Sequence, residues 1–356
     1  MKQQYYKGLF VLLGGVLVLT GCLPQLGSSG SKSYGATDGG VYKSIDGGVT
    51  WKQVVDVNAT KGQVKQFVNE DVRPIVLDPQ DHEAIFAGTN AIGLISSVDG
   101  ANSWTLDKFI KNTRVVSVAI DYKDRCKWVV AQATKISRTL DCGRGWRDML
   151  TETRTGYGFR VVLTDHFNRN VLYAANTKEV LKSLDYGETW QTMERFNSEI
   201  TDLVMDAKDS RKLYVGFFGG GMSKTVDGGL SWEDMSEGLS EFNGGKQVKK
   251  ITQSLSADNT FYLVTKHGLL RTTDGGVTYT ALPLLTPAGA VEIWSFAVHP
   301  TDDNVMWYGT DTTLYKSIDN GKTWKTTKLP TTRRPTWLTV DFKDGNVLYL
   351  GTRRPE

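Results

Sequence analysis

The 356-residue chain has only four histidines and three cysteines, and its charges almost cancel. The histidines are scattered along the chain, and no His/Cys spacing matches that of a zinc site. No glycine-rich turn between a strand and a helix indicates a bound nucleotide. The formal net charge of +3 lacks the basic excess of a nucleic-acid-binding domain. The sequence therefore predicts no metal site, no cofactor and no nucleic-acid partner.

Long apolar runs are also scarce. The run Leu9–Leu19 follows two lysines and is too short to span a membrane comfortably. It ends in Leu-Thr-Gly-Cys22, which resembles a bacterial lipobox. The resemblance implies that residues 1–22 are a lipoprotein signal peptide, cleaved before Cys22, whose thiol is then acylated; an ordinary secretory leader with an incidental cysteine is the alternative.

Residues 23–36 are rich in Gln, Gly and Ser and predict a flexible tether. We therefore expect a cell-envelope protein on the extracytoplasmic side, held at the membrane through the lipid on Cys22.

The chain is instead rich in one repeated pattern, Ser/Thr-x-Asp-x-Gly-x-Thr-Trp, which we call the box. A pattern that recurs at a nearly fixed interval indicates a repeat architecture, and this interval can hold one small four-stranded sheet. The copies begin at Ser44, Ser97, Thr139, Ser183, Thr225, Thr272 and Ser317.

The spacing inside the box predicts a tight turn between two strands. The Asp can accept hydrogen bonds from backbone N–H groups of the turn, and the Gly supplies a positive φ, except in the second copy, which has Ala101. The Thr-Trp pair restarts a strand and buries a large ring, which is Tyr279 in the sixth copy. We expect a structural and not a catalytic role for the seven box aspartates: Asp46, Asp99, Asp141, Asp185, Asp227, Asp274 and Asp319.

Short alternating apolar segments and turns between the boxes predict four strands per repeat and an all-β fold. The first box has one strand before it, whereas the last is followed by two, Trp337–Phe342 and Asn346–Gly351. Pairing of Asn346–Gly351 with Val41–Ile45 would close a ring without open edges. The sequence therefore predicts a seven-bladed β-propeller of four-stranded antiparallel blades over residues 37–352, with one blade shared by both termini.

Two cysteines remain in the propeller. Cys126 and Cys142 lie about symmetrically around a predicted turn near Thr134, so they would face each other in an antiparallel hairpin. An export compartment permits disulfides, and we therefore predict a Cys126–Cys142 bridge.

The long insertions, Asp56–Asp71, Ser236–Val248, Pro283–Glu292 and Thr327–Thr336, all connect a fourth strand to the next first strand. They should share one face of the propeller, and long loops on a rigid scaffold often bind ligands. Arginines and aromatic rings near these loops suit an acidic protein segment or a stacked sugar. Alternatively, the loops drift freely, the tryptophans plug the channel and the basic groups are merely solvated. The candidate face consists of Arg73, Arg114, Tyr157, Arg160, Lys249, Trp294, Arg333 and Trp337.

The box resembles the Asp-box, or BNR, repeat, which is a structural element at the blade periphery of the sialidase-like superfamily. The sialidase arginine triad, Phe-Arg-Ile-Pro motif and Tyr/Glu pair have no clear counterpart, since Phe159–Val162 and Val72–Ile75 are only partial matches. Leu314–Trp324 resembles xyloglucanase blades, but those enzymes place one carboxylate on each of two propellers.

The repeat over residues 37–352 also resembles two non-catalytic groups, the sortilin (Vps10) type, which binds peptides, and the photosystem II assembly factors. The second group is lipid-anchored in some forms and holds an assembling membrane protein on an arginine-rich face. These resemblances imply a monomeric, membrane-anchored binding or assembly scaffold without catalytic residues, which grips a protein partner on its long-loop face. The alternative is a glycan-binding, glycoside-hydrolase or sialidase-like propeller.

Overall fold

The computed structural model describes residues 37–58 and 65–355, and their regular secondary structure consists almost entirely of short β-strands. The predicted signal peptide (1–22), Cys22 and the tether (23–36) lie outside these residues. In chain order the strands are β1 (Val41–Ser44), β2 (Lys52–Gln53), β3 (Val72–Asp78), β4 (Asp81–Thr89), β5 (Gly93–Ser97), β6 (Thr105–Lys111), β7 (Val115–Ile120), β8 (Trp128–Gln132), β9 (Lys135–Thr139), β10 (Arg147–Thr151), β11 (Phe159–Thr164), β12 (Leu172–Asn176), β13 (Glu179–Ser183), β14 (Gln191–Arg195), β15 (Glu199–Met205), β16 (Leu213–Phe218), β17 (Gly221–Thr225), β18 (Glu233–Asp234), β19 (Val248–Gln253), β20 (Phe261–Thr265), β21 (Leu269–Thr272), β22 (Thr280–Ala281), β23 (Ser295–His299), β24 (Asp302–Gly309), β25 (Thr313–Ser317), β26 (Lys325–Lys328), β27 (Arg334–Val340) and β28 (Leu348–Arg353).

These strands form seven four-stranded antiparallel sheets, and the first is built from both ends of the chain, in the order β2-β1-β28-β27. Val41 pairs with Gly351 and Ser44 with Leu348, so the hydrogen bonds of this blade join the N-terminal and C-terminal strands. The other six blades are β3–β6, β7–β10, β11–β14, β15–β18, β19–β22 and β23–β26. The predicted seven-bladed propeller with a shared blade is confirmed.

Each box forms a turn with two consecutive residues in the left-handed region, as at Tyr186 and Gly187. The Asp185 carboxylate accepts hydrogen bonds from the N–H and hydroxyl of Thr189 at 2.8 and 2.6 Å, and from the Ser183 hydroxyl at 2.8 Å. Ser183 Oγ in turn accepts the N–H of Gly187 at 2.7 Å. Five of the other six boxes repeat this arrangement, and the third box, which has Gly145 in place of the Thr or Ser, keeps the backbone bond to Asp141 without the hydroxyl bond. The box carboxylates are therefore engaged in holding turns.

Neighbouring blades are joined through the box turns. The residue that precedes the box in the third strand reaches the turn of the next blade, as Lys43 Nζ donates to the Gly100 carbonyl at 2.8 Å and Lys182 Nζ to the Gly228 carbonyl at 3.0 Å. The Arg138 guanidinium donates to the Tyr186 carbonyl in the same way. These bonds satisfy turn carbonyls that strand pairing leaves open.

The apolar cores lie between adjacent blades. Between the shared blade and the next one, for example, Val41 and Tyr349 pack against Ile75, Ile85 and Trp104. Trp104, Trp324 and Tyr279 bury their box rings as expected, whereas the box tryptophans of the other four blades are only half-buried: Trp51, Trp146, Trp190 and Trp232.

Cys126 and Cys142 form a disulfide in the hairpin of β8 and β9, and the Cys142 N–H donates to the Cys126 carbonyl at 3.0 Å. The described residues contain one short 3₁₀ helix, Gly238–Glu241, and among them no helix has the length and apolar character needed to cross a membrane.

Candidate binding channel

Three of the predicted long connections, Asp56–Asp71, Ser236–Val248 and Pro283–Glu292, run from a fourth strand to the next first strand. The fourth prediction, Thr327–Thr336, is wrong in its extent, because β26 continues to Lys328 and β27 begins at Arg334, so only residues 329–333 connect the two strands. Because the strands of each blade alternate in direction, these connections share one end of the ring with the second-to-third strand turns. We call this end the loop face. The box turns lie at the other end.

In six of the seven blades, a β-bulge near the start of the first strand positions a side chain at the loop end of the channel. The ladder shifts register there in β3, β7, β11, β15, β19 and β27. In the sixth blade, Ser295 pairs with Gly309, and the Trp294 N–H donates to the Gly309 carbonyl at 2.9 Å. A bulge turns a side chain away from the regular alternation. All seven residues at this position line one central cavity: Arg73, Val116, Arg160, Thr201, Lys249, Trp294 and Thr336.

This central cavity has a volume of about 460 Å³, within the range of small-ligand sites. Its wall combines apolar residues such as Val118 and Ile293 with the charged groups of Asp202 and Lys250 and the indole of Trp337. A basic cavity of about 380 Å³ adjoins it at the loop face and shares Arg73 with it. The charged residues of that outer cavity are Asp71, Arg73, Arg114, Arg353 and Arg354.

The channel cations differ in how they are paired. Arg160 forms an ion pair with Glu199 at 2.5 Å. Lys249 forms another with Glu292, also at 2.5 Å. Arg73 and Arg114 form no ion pair with any carboxylate of residues 37–58 and 65–355.

Both unpaired arginines have lowered pKa values. Burial and then the positive charge of Arg114 lower the pKa of Arg73, which Asp202 partly offsets. Burial and the charges of Arg160 and Arg353 lower the pKa of Arg114. Like charges crowded in a confined space disfavour the charged form, so an anion placed between them would be strongly attracted.

Deeper in the channel, Lys250 Nζ lies 3.7 Å from the centroid of the Trp337 ring, which is a cation–π contact. The Trp337 Nε1–H donates to the Ile75 carbonyl at 2.8 Å, which fixes the indole. Burial lowers the pKa of Lys250 to about 8, against the opposing effect of Asp202. Burial raises the pKa of Asp202, although its carboxylate accepts backbone N–H bonds from Ile251 and Leu203.

Two residues of the predicted face lie elsewhere. Arg333 is only 2 % exposed and its guanidinium binds Asp38 and Asp71, so it is not accessible to a partner. Tyr157 lies outside the cavity lining, and the Arg154 guanidinium carbon lies 4.0 Å from the centroid of the Tyr157 ring. The structure brings together the remaining six: Arg73, Arg114, Arg160, Lys249, Trp294 and Trp337.

Sequence reasoning missed Asp202 and Thr201. They stand at the positions of β15 that match Lys250 and Lys249 of β19, so alignment of the repeats on their first strands would have found them. No group of three His, Cys, Asp or Glu residues that could hold a metal ion occurs in the described part of the chain.

No protein-family model matches the chain, and no curated protein matches it. Its fold is nevertheless similar to many solved structures. One is YCF48 bound to a D1 peptide (TM-score 0.62, 13% identity, 80% of this chain and 92% of that one). Another is YCF48 from Cyanidioschyzon merolae (TM-score 0.63, 15% identity, 80% and 95%).

The GH74 xyloglucanase of Xanthomonas campestris is similar as well (TM-score 0.65, 19% identity, 80% of this chain). The chain spans about half of that enzyme, 51% of its length. The fold is therefore a seven-bladed, Asp-box-type propeller like those of YCF48 and the GH74 xyloglucanases. Identities this low show the fold alone.

Proposed function

We propose that this protein is a non-catalytic binding or assembly scaffold that holds an anionic segment of a protein partner at the loop-face mouth of its channel. The observation that carries the proposal is the pair Arg73 and Arg114, which have no carboxylate partner among the described residues and are crowded by further arginines. A guanidinium in a confined, partly desolvated site gains most from a carboxylate.

The fold similarity to YCF48 in complex with a D1 peptide supports a protein partner as the ligand class. The location of the scaffold is part of the same proposal. Acylation of Cys22 would hold the propeller at the extracytoplasmic face of a membrane, and the disulfide between Cys126 and Cys142 suits that compartment.

The glycan alternative has less support. One face of the Trp294 ring is covered by Arg334 at 4.3 Å, and the Trp337 ring is covered by Lys250, so neither indole offers an unobstructed stacking platform. The carboxylates that line or border the cavity are engaged with Arg160, Lys249 or backbone N–H groups. Glycoside hydrolysis requires two carboxylates that flank the bond, and one of them must act as an acid.

The test is a pulldown from the native membrane with the tagged protein and two charge-reversal variants. Arg73→Glu combined with Arg114→Glu should abolish capture of the partner, and binding to the wild type should weaken as salt is raised. Lys343→Glu is the matched control, because Lys343 is exposed at the opposite end of the ring. Unchanged capture by the double variant, or specific saccharide binding on a glycan array without a protein partner, would overturn the proposal.

A further inference from the structure

The channel has a third cavity, at the end opposite the loop face, and its lining differs from that of the central and outer cavities. This lower cavity has a volume of about 440 Å³ and is lined mainly by apolar residues. It shares six lining residues with the central cavity, so the two meet inside the ring: Leu163, Leu203, Val204, Lys250, Ile251 and Trp337.

The rim of the lower cavity is formed by equivalent residues from six blades. Each lies one or two residues after the end of a first strand, at the turn into the second strand. Such turn positions usually carry polar residues. Here they are Tyr122, His166, Ala207, Leu255, Pro300 and Phe342.

Three of these rim side chains are strongly exposed, Tyr122 by 49%, Leu255 by 54% and Phe342 by 40%. Single exposed apolar side chains need no explanation, but a set that converges on one concave opening marks a binding site. The channel is therefore apolar at this end and basic at the other.

The charge at the junction of the two cavities sets the charge of a ligand. Arg73 and Lys250 contribute two positive charges and Asp202 one negative charge, and Asp202 acts electrostatically on both cations. Neither cation forms an ion pair within the described residues. The excess is one positive charge, which one carboxylate would balance.

We infer that the channel binds a single-chain aliphatic monocarboxylate, with its carboxylate at Arg73 and Lys250 and its hydrocarbon chain in the lower cavity beside Trp337. The guanidinium can receive the carboxylate in a bidentate manner, and the side chains of Leu203, Val204 and Ile251 continue the apolar path toward the rim. This site shares Arg73 with the proposed protein site, but it also requires Lys250 and the lower cavity, whereas Arg114 lines only the outer part of the channel.

The inference can be tested by isothermal titration calorimetry of the purified protein with dodecanoate below its micellar concentration. We expect one site per chain, and an affinity that rises about fourfold per methylene from octanoate to dodecanoate, because each buried CH₂ is worth about 0.8 kcal/mol. Acetate, which has the head without the tail, and dodecyltrimethylammonium, which has the tail with the opposite charge, should not bind.

Two variants test separately the residue that binds the carboxylate and the apolar rim that contacts the hydrocarbon chain. Arg73→Gln should weaken dodecanoate binding at least tenfold, and Leu255→Asp with Phe342→Asp should do the same while the exposed rim positions leave folding intact. Arg114→Gln should weaken dodecanoate binding far less than Arg73→Gln does, because Arg114 lines neither the central nor the lower cavity, whereas it should weaken capture of a protein partner. No heat from dodecanoate, an affinity independent of chain length, or equal binding of the cationic detergent would overturn the inference.

Discussion

Arg333 and Asp38 are 295 residues apart in the chain, yet the Arg333 Nε lies 3.3 Å from an Asp38 carboxylate oxygen. The same guanidinium reaches Asp71 at 3.4 Å and the Asn69 carbonyl at 3.2 Å. Asp38 also accepts hydrogen bonds from Thr332. These contacts fasten the segment before β1 to the loop between β26 and β27, beside the blade that closes the ring.

Arg333→Met should lower the free energy of unfolding by about 3 kcal/mol, because it leaves Asp38 and Asp71 without their buried cation. Urea denaturation followed by tryptophan fluorescence measures the change. Lys328→Met is the control, since Lys328 is exposed and should shift stability by less than about 0.5 kcal/mol. Equal stability of the two variants would show that the contacts of Arg333 with Asp38 and Asp71 do not stabilise the fold.

Gly48→Ala should destabilise the protein by about 3 kcal/mol. An added Cβ would lie 2.5 Å from Leu314 Cδ2 of the neighbouring blade, and the residue has a φ of +92°, so overpacking and backbone strain add together. The second box already has alanine at the equivalent position, where Ala101 has a φ of +67°.

Ala101→Gly is therefore the matched comparison for Gly48→Ala. The relief of left-handed strain is offset by the loss of a buried methyl group beside Trp104 and by added chain entropy, so we expect a change below about 1 kcal/mol. Thermal unfolding by circular dichroism measures both variants, and similar melting temperatures for the two would contradict this account of the box turn.

Acid should destabilise the propeller between about pH 4 and pH 2. Hydrogen bonds from Thr189 and Thr323 lower the pKa of Asp185 and of Asp319 to about 2, whereas an aspartate in the unfolded chain titrates near 3.9. A group whose folded pKa is depressed stabilises the fold above its unfolded pKa, and this contribution is lost as the pH falls through the folded pKa.

The urea midpoint, measured from pH 6 to pH 2, should therefore fall steeply below pH 4. Asp185→Asn with Asp319→Asn should lower the midpoint at pH 6 and flatten its dependence on pH. A wild-type midpoint that stays constant down to pH 2.5 would rule out this role for the box carboxylates.

Removal of the disulfide by Cys126→Ala with Cys142→Ala should cost about 3 kcal/mol, the chain-entropy value for a loop that joins residues 16 apart. The wild type in a strong reductant should show the same loss in urea denaturation. If the reductant has no effect while the double variant is destabilised, the cost comes from side-chain packing and not from the cross-link.

The sequence predicted the blades well because the residues that determine each blade lie close together in the chain. The box aspartate, the left-handed turn and the Thr-Trp pair lie within eight residues, and the strand count at the two ends requires Val41 to pair near Gly351. The contacts between blades were not predicted. Lys43 reaches Gly100 across 57 residues, and nothing next to Lys43 in the chain indicates that partner.

The candidate site, too, was predicted from the sequence only in part. Counting back from the aspartates that end the first strands places Arg73 and Arg160 in one register, and both line the central cavity. Arg333 and Arg334 are adjacent in the chain and look alike in sequence. The start of β27 decides that Arg333 is buried against Asp38 whereas Arg334 covers Trp294.

The sequence by itself thus determined the repeat, the number of blades and the closure of the ring, because a turn and its strands are specified by residues close together in the chain. Only the tertiary structure decided which charged side chains face the channel and which form ion pairs within the protein. That choice depends on the bulges at the starts of six first strands and on neighbours from other blades. The channel is basic at one end and apolar at the other because seven distant segments meet there.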